Sequence, residues 1–143
     1  MSTACPYATF RVGGHCLAIP VLEVQEVLRG QRLTPVPLAP DAVSGLINLR
    51  GQIVPALEMR RLLSLPPRES EVDPLSIVVR TEHGAVSLQV DEIGDVLELD
   101  GSTFELPPHN VDPHVRSRLA GVYKLKDRLL LVLDIRRTVD LNG

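Results

Sequence analysis

Short apolar segments separated by turn residues run through most of the chain. Four of them form two pairs around glycine-containing turns: residues 9–12 and 16–19 around Gly13-Gly14, and residues 75–80 and 85–90 around Glu82-His83-Gly84. Glycine accepts the positive φ angles that tight hairpin turns require. The pattern therefore predicts two β-hairpins.

Each predicted hairpin is followed by a segment, residues 21–28 or 90–97, with apolar residues three and four positions apart. That spacing puts the apolar side chains on one helical face, so it predicts a short helix or helical turn. An extended strand is the alternative for the second segment.

Proline-rich loops come next, and short helices are predicted at residues 41–43 and 113–119. Gly45 and Gly121 then open two further strand pairs: residues 46–49 with 53–57, and residues 122–125 with 129–133.

The chain also repeats itself at fixed offsets. Residues 10–28 match residues 79–97 at an offset of 69, and residues 45–63 match residues 121–139 at an offset of 76, both without gaps. The most specific matches are the paired glycines and an (Glu/Asp)-x-Arg-Arg motif that starts at Glu58 and again at Asp134. Self-similarity of this kind indicates a duplicated architecture. Each copy has about 60 residues, near the lower limit for an independent core, so the two copies are expected to pack together.

Composition narrows the fold class and the partners. Of 143 residues, 44% are hydrophobic and only 3% aromatic, so the core must be built from Val, Leu and Ile, which favours strands. About eight to ten short strands without alternating helices are typical of small barrels or a sandwich. The net charge of −3 and the lack of aromatic stacking surfaces argue against a nucleic-acid partner.

The location is expected to be cytoplasmic. Residues 1–7 have neither the basic start nor the apolar run of a secretory signal, and Cys5 and Cys16 fit a reducing compartment. No apolar stretch approaches the roughly 20 residues that span a bilayer, so no direct membrane insertion is expected.

Catalytic chemistry finds little support in the sequence. His109 and His114 flank Asp112 in a proline-rich loop, but two histidines without a third nearby ligand are weak evidence for zinc. Cys16 lies in an apolar strand, a poor setting for a reactive thiolate, and its neighbour His15 would point to the opposite face. No catalytic residue, metal or cofactor is predicted. A small metal- or thiol-dependent enzyme using these groups is the alternative of a different class.

Three strings in chain order carry a family resemblance. Residues 45–60 read GLINLRGQIVPALEMR, residues 19–27 before them read IPVLEVQEV, and residues 90–96 after them read VDEIGDV. Together they resemble the CheW family, the coupling proteins of bacterial chemosensory systems, over residues 9–139.

The resemblance implies a mostly β fold of two small five-stranded SH3-like β-barrels, packed side by side with interleaved strands, plus short helices. Residues 9–139 would form one CheW-like domain. Its first subdomain would comprise about residues 9–44 and 105–139, and its second about residues 45–104. Residues 64–74, which separate the two copies, would then be a loop of the second barrel.

The resemblance also implies a function without catalysis. Members of the family bind the cytoplasmic tip of a chemoreceptor and the regulatory domain of a histidine kinase, so this chain is expected to be a scaffold, monomeric in isolation and recruited to receptor complexes at the inner membrane. An accessory paralogue in a non-flagellar chemosensory pathway is the alternative.

When the receptor-binding positions of the family are transferred to this sequence, they fall on Val24, Glu26, Gly45 and Arg50, at the groove between the barrels. We call these four residues the receptor-facing set. The kinase is expected near Glu82, His83 and Gly84.

Overall fold

A computed structural model describes residues 4–69 and 74–141. These residues contain ten strands and three short helices. The strands are β1 (Ala4–Val12), β2 (His15–Pro20), β3 (Val24–Arg29), β4 (Val43–Leu49), β5 (Gln52–Glu58), β6 (Leu75–Thr81), β7 (Gly84–Val90), β8 (Glu92–Asp100), β9 (Leu119–Lys124) and β10 (Leu129–Leu133). The helices are α1 (Met59–Leu62), α2 (Pro113–Arg116) and α3 (Ile135–Val139).

The strands form two five-stranded sheets. The first sheet has the order β8-β1-β2-β10-β9, and the second has the order β3-β6-β7-β5-β4. One pair in each sheet is parallel, β2 with β10 and β5 with β7, and the other neighbours are antiparallel. The mostly β class and the two five-stranded units are thereby confirmed.

The strands are interleaved more deeply than the expected subdomain boundaries allow. Residues 24–44 were expected in the first subdomain, yet β3 pairs with β6 in the second sheet. Residues 92–100 were expected in the second subdomain, yet β8 pairs with β1 in the first sheet. The chain therefore changes sheets directly after the β1–β2 hairpin and again directly after the β6–β7 hairpin. The offsets of the repeat do not reveal this exchange of strands. They do not specify which distant strand forms hydrogen bonds with the backbone groups at the edge of a given strand.

The segments after the hairpins are mainly extended. In residues 21–28, a 3₁₀ turn at Val21–Glu23 leads directly into strand β3. In residues 90–97, strand β8 begins at Glu92, which agrees with the alternative prediction of an extended strand. Helix α2 is shorter than the predicted residues 113–119 because β9 begins at Leu119. Residues 63–74 connect α1 to β6, and their positions 70–73 lie outside the described residues.

Both faces of the central strands β2, β6, β7 and β10 are largely buried, which explains their nearly continuous apolar sequences. A shared core between the sheets receives Leu17 and Ile19 from the first sheet and Ile77 from the second. Each sheet also encloses a small core of its own, around Leu130 in the first and Val78 in the second. Alternating residues along a strand therefore serve different cores.

The repeated glycines mark the places where the chain crosses from one sheet edge to the other. After β3, Thr34 exchanges two backbone hydrogen bonds of 2.9 and 2.8 Å with Leu46 of β4, at the opposite edge of the second sheet. A Cβ atom on Gly45, whose φ is +153°, would lie 2.7 Å from the Thr34 carbonyl oxygen. This close approach requires glycine.

The second copy repeats the arrangement. Glu105, which follows β8, exchanges backbone hydrogen bonds of 3.0 and 2.8 Å with Val122 of β9. A Cβ atom on Gly121 would lie 2.6 Å from the Glu105 carbonyl oxygen. The paired glycines thus allow each sheet to curl until its two edges are bridged.

Candidate functional site

Arg50 and Glu26 form an ion pair on the surface of the second sheet. Arg50 lies in the turn between β4 and β5, where its φ of +51° and the +86° of Gly51 form a two-residue hairpin turn. Its Nη1 atom donates to Oε1 of Glu26 at 3.2 Å, and its Nη2 atom donates to Oε2. The two residues thus make a bidentate contact.

The two side chains of this ion pair differ in their exposure to solvent. The Arg50 side chain is 69% exposed, whereas that of Glu26 is 22% exposed. The hydrogen bond from Arg50 lowers the pKa of the Glu26 carboxyl, and the same contact raises the pKa of Arg50. Both groups are therefore charged at neutral pH, and the guanidinium is the part that a partner meets first.

The other two members of the receptor-facing set lie deeper. A β-bulge at Gln25 lets Val24 pair with Val79 and Glu26 pair with Val78, so Val24 and Glu26 point to opposite faces of β3. Val24 is partly buried against the shared core, and Gly45 is buried beneath the crossing chain. The structure brings Glu26 and Arg50 together and gives Val24 and Gly45 packing roles.

A groove of about 600 Å³ separates the two sheets where the edge strands β3 and β8 approach each other. Val27 and Ile93 line it and remain 48% and 40% exposed. Neither residue was among the sequence-based candidates. The internal repeat could have identified Ile93, because Ile93 is the counterpart in the second copy of Val24, which was a candidate.

Asp91, at one end of this groove, links the two sheets. Its carboxylate accepts hydrogen bonds from the Gly13 amide at 2.7 Å, from Arg60 at 3.0 and 2.6 Å, and from Nε of Arg68 at 2.9 Å. Gly13 belongs to a turn of the first sheet, whereas Arg60 lies on α1, directly after β5 of the second sheet. We call Gly13, Glu58, Arg60, Arg68 and Asp91 the Asp91 network.

The network is largely shielded from water. Burial by itself raises the pKa of the Asp91 carboxyl, but the hydrogen bonds from Arg60, Gly13 and Arg68 outweigh burial and lower this pKa to about 2. The Arg68 guanidinium is also held by both carboxylate oxygens of Glu58, at 2.7 and 3.0 Å. Sequence reasoning did not identify the network, because its members come from four separate segments.

The proposed kinase contact is a single turn. Glu82 and His83 connect β6 to β7, whose first residue, Gly84, has a φ of +111°. The His83 amide donates to Oγ1 of Thr81 at 3.1 Å. An ion pair of 3.3 Å joins Glu82 to Arg136 of α3. The turn therefore lies against the helix that follows the first sheet.

A family model described as the CheW-like domain matches residues 6–142. The chain belongs to the CheW-like domain family. It is 30% identical to the chemotaxis protein CheW of Bacillus subtilis over 92% of this chain and 84% of that protein. It is also 30% identical to the chemotaxis protein CheW of Thermotoga maritima, over 92% of this chain and 85% of that one.

The fold of this CheW-like domain matches a solved structure. The scaffolding protein TtCheW from Thermoanaerobacter tengcongensis superposes with a TM-score of 0.87, covering 98% of this chain and 95% of that chain at 23% identity. The family resemblance drawn from the three sequence strings is therefore confirmed.

Three of the groups considered for enzymatic chemistry, His15, Cys16 and Asp112, line one pocket of about 350 Å³ in this CheW-like domain. The His114 amide donates to Asp112 at the start of α2, and the His109 carbonyl accepts from Arg116. Cys16 is partly buried against the core of the first sheet. Among residues 4–69 and 74–141, no three His, Cys, Asp or Glu side chains are grouped closely enough to hold a metal ion. In the same residues, no helix is long and apolar enough to cross a membrane.

Proposed function

We propose that this chain is a non-enzymatic scaffold that couples chemoreceptors to a histidine autokinase in a bacterial chemosensory complex. Family membership supports the assignment to chemotaxis scaffolds. The observation that carries the proposal is the Arg50–Glu26 ion pair, because it presents a charged, geometrically fixed guanidinium at an exposed turn. Arginine in such a setting makes bidentate contacts to a partner and packs its stem on apolar surface.

The receptor surface is centred on β3. Viewed from its free edge, this strand exposes side chains of both faces: Glu26 with Arg50 on one side, and Val27 with Ile93 across the groove on the other. A helical receptor tip laid along the edge meets an apolar strip beside a charged pair. Val24 and Gly45 support this surface by setting the bulge and the curl of the second sheet.

The kinase regulatory domain docks near Glu82, His83 and Gly84. The support is geometric, because these residues form one exposed turn at the end of the second sheet. Receptor and kinase thus meet separate parts of the scaffold, and both can be bound at once.

The mechanism is assembly without chemistry. By holding both partners in register, the scaffold lets a change in receptor conformation bias the kinase equilibrium. Linkage then requires the scaffold's affinity for its partners to differ between signalling states. The protein acts in the cytoplasm as a monomer and reaches the inner membrane only through its partners.

Co-elution tests the proposal. The purified chain is mixed with a receptor cytoplasmic fragment and with a kinase regulatory domain, and size-exclusion chromatography with light scattering gives the mass of each complex. A ternary complex is expected. If the chain elutes alone from both mixtures at concentrations of tens of micromolar, the proposal is wrong.

Two further measurements address the alternatives. Capture from the native cell with identification of the bound kinase shows whether the pathway is flagellar or one served by an accessory paralogue. Stoichiometric zinc in the purified protein would instead support a metal-dependent enzyme.

A further inference from the structure

The groove between β3 and β8 takes its two apolar sides from different sheets. Val27 lies on β3 of the second sheet, whereas Ile93 lies on β8 of the first. Among the strands of residues 4–69 and 74–141, no backbone pairing joins β3 to β8. The width of the groove therefore depends on the contacts that hold the two sheets together beside it, because no ladder of hydrogen bonds spans it.

Asp91 lies where the chain passes from β7 of the second sheet to β8 of the first. It lines the groove two positions before Ile93. Its amide donates to the Arg11 carbonyl at 2.9 Å, and its carboxylate accepts from the Gly13 amide at 2.7 Å. Both contacts fix Asp91, and with it the start of β8, to the β1–β2 hairpin of the first sheet.

Arg68 connects the same carboxylate to the second sheet. Its Nε atom donates to Asp91 at 2.9 Å, and its two terminal nitrogens donate to Glu58 at 2.7 and 3.0 Å. Glu58 is the last residue of β5 and pairs with Gln89 of β7 within the second sheet. A continuous series of polar contacts thus runs from Glu58 through Arg68 and Asp91 to Gly13, across the boundary between the sheets.

The corresponding crossing in the first copy is made without a carboxylate. Leu22 is the counterpart of Asp91 at the offset of 69, and it is 85% exposed. The chain passes there from β2 of the first sheet to β3 of the second. The crossing itself therefore does not require the polar contacts of Asp91. Largely buried ion networks add little net stability over apolar packing, and one role attested for them is to fix a single arrangement of the groups they join.

Arg68 can influence the groove only through Asp91. The Arg68 side chain is 8% exposed, and the lining of the groove includes Asp91 and not Arg68. A partner in the groove therefore contacts Val27 and Ile93 without contacting Arg68. An effect of Arg68 on that partner has to pass through the position of Asp91 and the start of β8.

We propose that Arg68 and Asp91 are positioning residues for receptor binding, which hold β8 at the distance from β3 that a receptor helix fits. The inference rests on the proposed function, because it takes the receptor to lie along this groove, and it adds that the groove is formed before the receptor arrives. A preformed site binds more tightly, since less conformational freedom is lost on binding.

Arg68→Gln is the test variant. It leaves the Asp91 carboxylate bound to Arg60 and to the Gly13 amide, so no buried charge is left without a partner at that position. Affinity for a receptor cytoplasmic fragment is expected to fall about fivefold, within the range for residues that act on a ligand without touching it. Affinity for the kinase regulatory domain is expected to stay unchanged. Isothermal titration calorimetry with the full chain measures both.

Glu58→Gln breaks the same series of contacts from its other end. The glutamine oxygen can still accept from the Arg60 amide at the start of α1, as Glu58 does at 3.2 Å. The variant is expected to reproduce both results of Arg68→Gln. The test therefore does not depend on the folding of one variant.

Leu130→Val is the control for stability. Leu130 is buried in the small core that the first sheet encloses, so shortening it destabilises the protein away from the boundary between the sheets. Receptor affinity is expected to be unchanged in this control. Urea denaturation confirms that each variant is folded under the conditions of the binding measurement.

Methyl NMR of the free protein reports on the groove itself. The methyl signals of Val27 and Ile93 are expected to shift or broaden in Arg68→Gln, because the two sides of the groove are no longer held at one distance. They are expected to stay in place in Leu130→Val.

The possible failures are distinguishable. If the unaltered protein does not bind the receptor fragment, the proposed function and this inference are both wrong. If the unaltered protein binds and Arg68→Gln and Glu58→Gln bind equally well, only the inference is overturned. Equal weakening of receptor and kinase binding, or an equal loss of receptor affinity in Leu130→Val, would overturn it by showing a general loss of structure. Weakened receptor binding with unchanged methyl signals would overturn it by showing that Arg68 acts without moving the groove.

Discussion

The Arg50 guanidinium contacts both carboxylate oxygens of Glu26, although these residues belong to opposite edges of the second sheet. Glu26 lies on β3, the first strand in the sheet order, and Arg50 follows β4, the last. Such a contact exists only because the sheet curls until its edges meet. The ion pair is therefore a product of the fold as well as a feature of its surface.

Reversing the charge of Arg50 is expected to weaken receptor binding. Arg50→Asp removes the exposed guanidinium and places a second carboxylate beside Glu26, so affinity for a receptor cytoplasmic fragment should fall about tenfold or more. The free energy of unfolding should change by less than about 1 kcal/mol, since exposed ion pairs contribute little. Isothermal titration calorimetry and urea denaturation measure the two quantities.

The repeat supplies the control for Arg50. Lys126 occupies the equivalent turn of the second copy, so Lys126→Asp makes a comparable charge change on the same scaffold and should leave receptor affinity unchanged. Equal effects of the two substitutions, or none from Arg50→Asp, would remove Arg50 from the receptor surface. The double variant Glu26→Arg with Arg50→Glu exchanges the two charges and so keeps an ion pair between these positions. It shows whether the receptor recognises the ion pair or the positive charge at position 50.

Removing the charge of Asp91 is expected to destabilise the protein by about 2 kcal/mol at neutral pH. A carboxyl whose pKa falls from near 4 in the unfolded chain to about 2 in the folded one stabilises the folded state by about this amount when ionised. The side chain is only 17% exposed, so solvent screening is limited. Chemical denaturation of Asp91→Asn measures the loss.

The pH dependence has a definite sign. A carboxyl with a lowered folded-state pKa contributes its full stabilisation above the unfolded-state pKa and loses it as pH falls towards the folded-state pKa. The difference between the unaltered protein and Asp91→Asn should therefore shrink between about pH 4 and pH 2. Asp95→Asn, at an exposed position of β8, removes a carboxylate outside the Asp91 network and serves as the control. A gap that stays constant over this range would contradict the prediction.

Adding a methyl group at Gly45 is expected to destabilise the protein by about 1–3 kcal/mol. In Gly45→Ala the new Cβ atom meets the Thr34 carbonyl oxygen, which is held by its bonds to Leu46, and the positive φ adds strain. Gly14→Ala is the control, because a Cβ atom there meets no atom within 4 Å. Thermal unfolding compares the two, and equal melting temperatures would show that the crossing chain moves aside freely.

Arg118 is expected to stabilise the junction of the two sheets by about 1–3 kcal/mol. Its Nε atom donates to the Leu62 carbonyl at 2.9 Å and its Nη1 atom to the Thr138 carbonyl at 3.1 Å, so it joins the ends of α1 and α3. Burial lowers the pKa of this arginine, a sign that its guanidinium is partly desolvated. Arg118→Met should leave those carbonyls without their donor.

The solvent-exposed Arg128 provides the comparison for Arg118. Arg128→Met changes the same atoms at a turn and should alter the free energy of unfolding by less than about 0.5 kcal/mol. If both variants unfold at the same urea concentration, the bonds from Arg118 contribute nothing net to stability.

Local signals in the sequence predicted the hairpins well. The turns at Gly13-Gly14 and at Glu82-His83-Gly84 lie where the glycines and flanking apolar residues indicated, because a turn depends on the φ angles of two or three neighbouring residues. The ordered strings around residues 45–60 identified the family. The repeated glycines correctly marked two positions that require glycine, but the sequence did not show that the reason is the close approach of a crossing chain.

The sequence by itself determined the four hairpin strand pairs, the duplication of the architecture and the family that the chain joins, because periodicity, turn chemistry and ordered motifs are local properties. Tertiary structure alone decided that β3 and β8 exchange sheets, that Arg50 reaches Glu26, and that Asp91 binds Gly13 across the boundary between sheets. These contacts join residues 24 and 78 positions apart. They arise from strand pairing and core packing between distant segments, and those conditions are satisfied only by the whole chain at once.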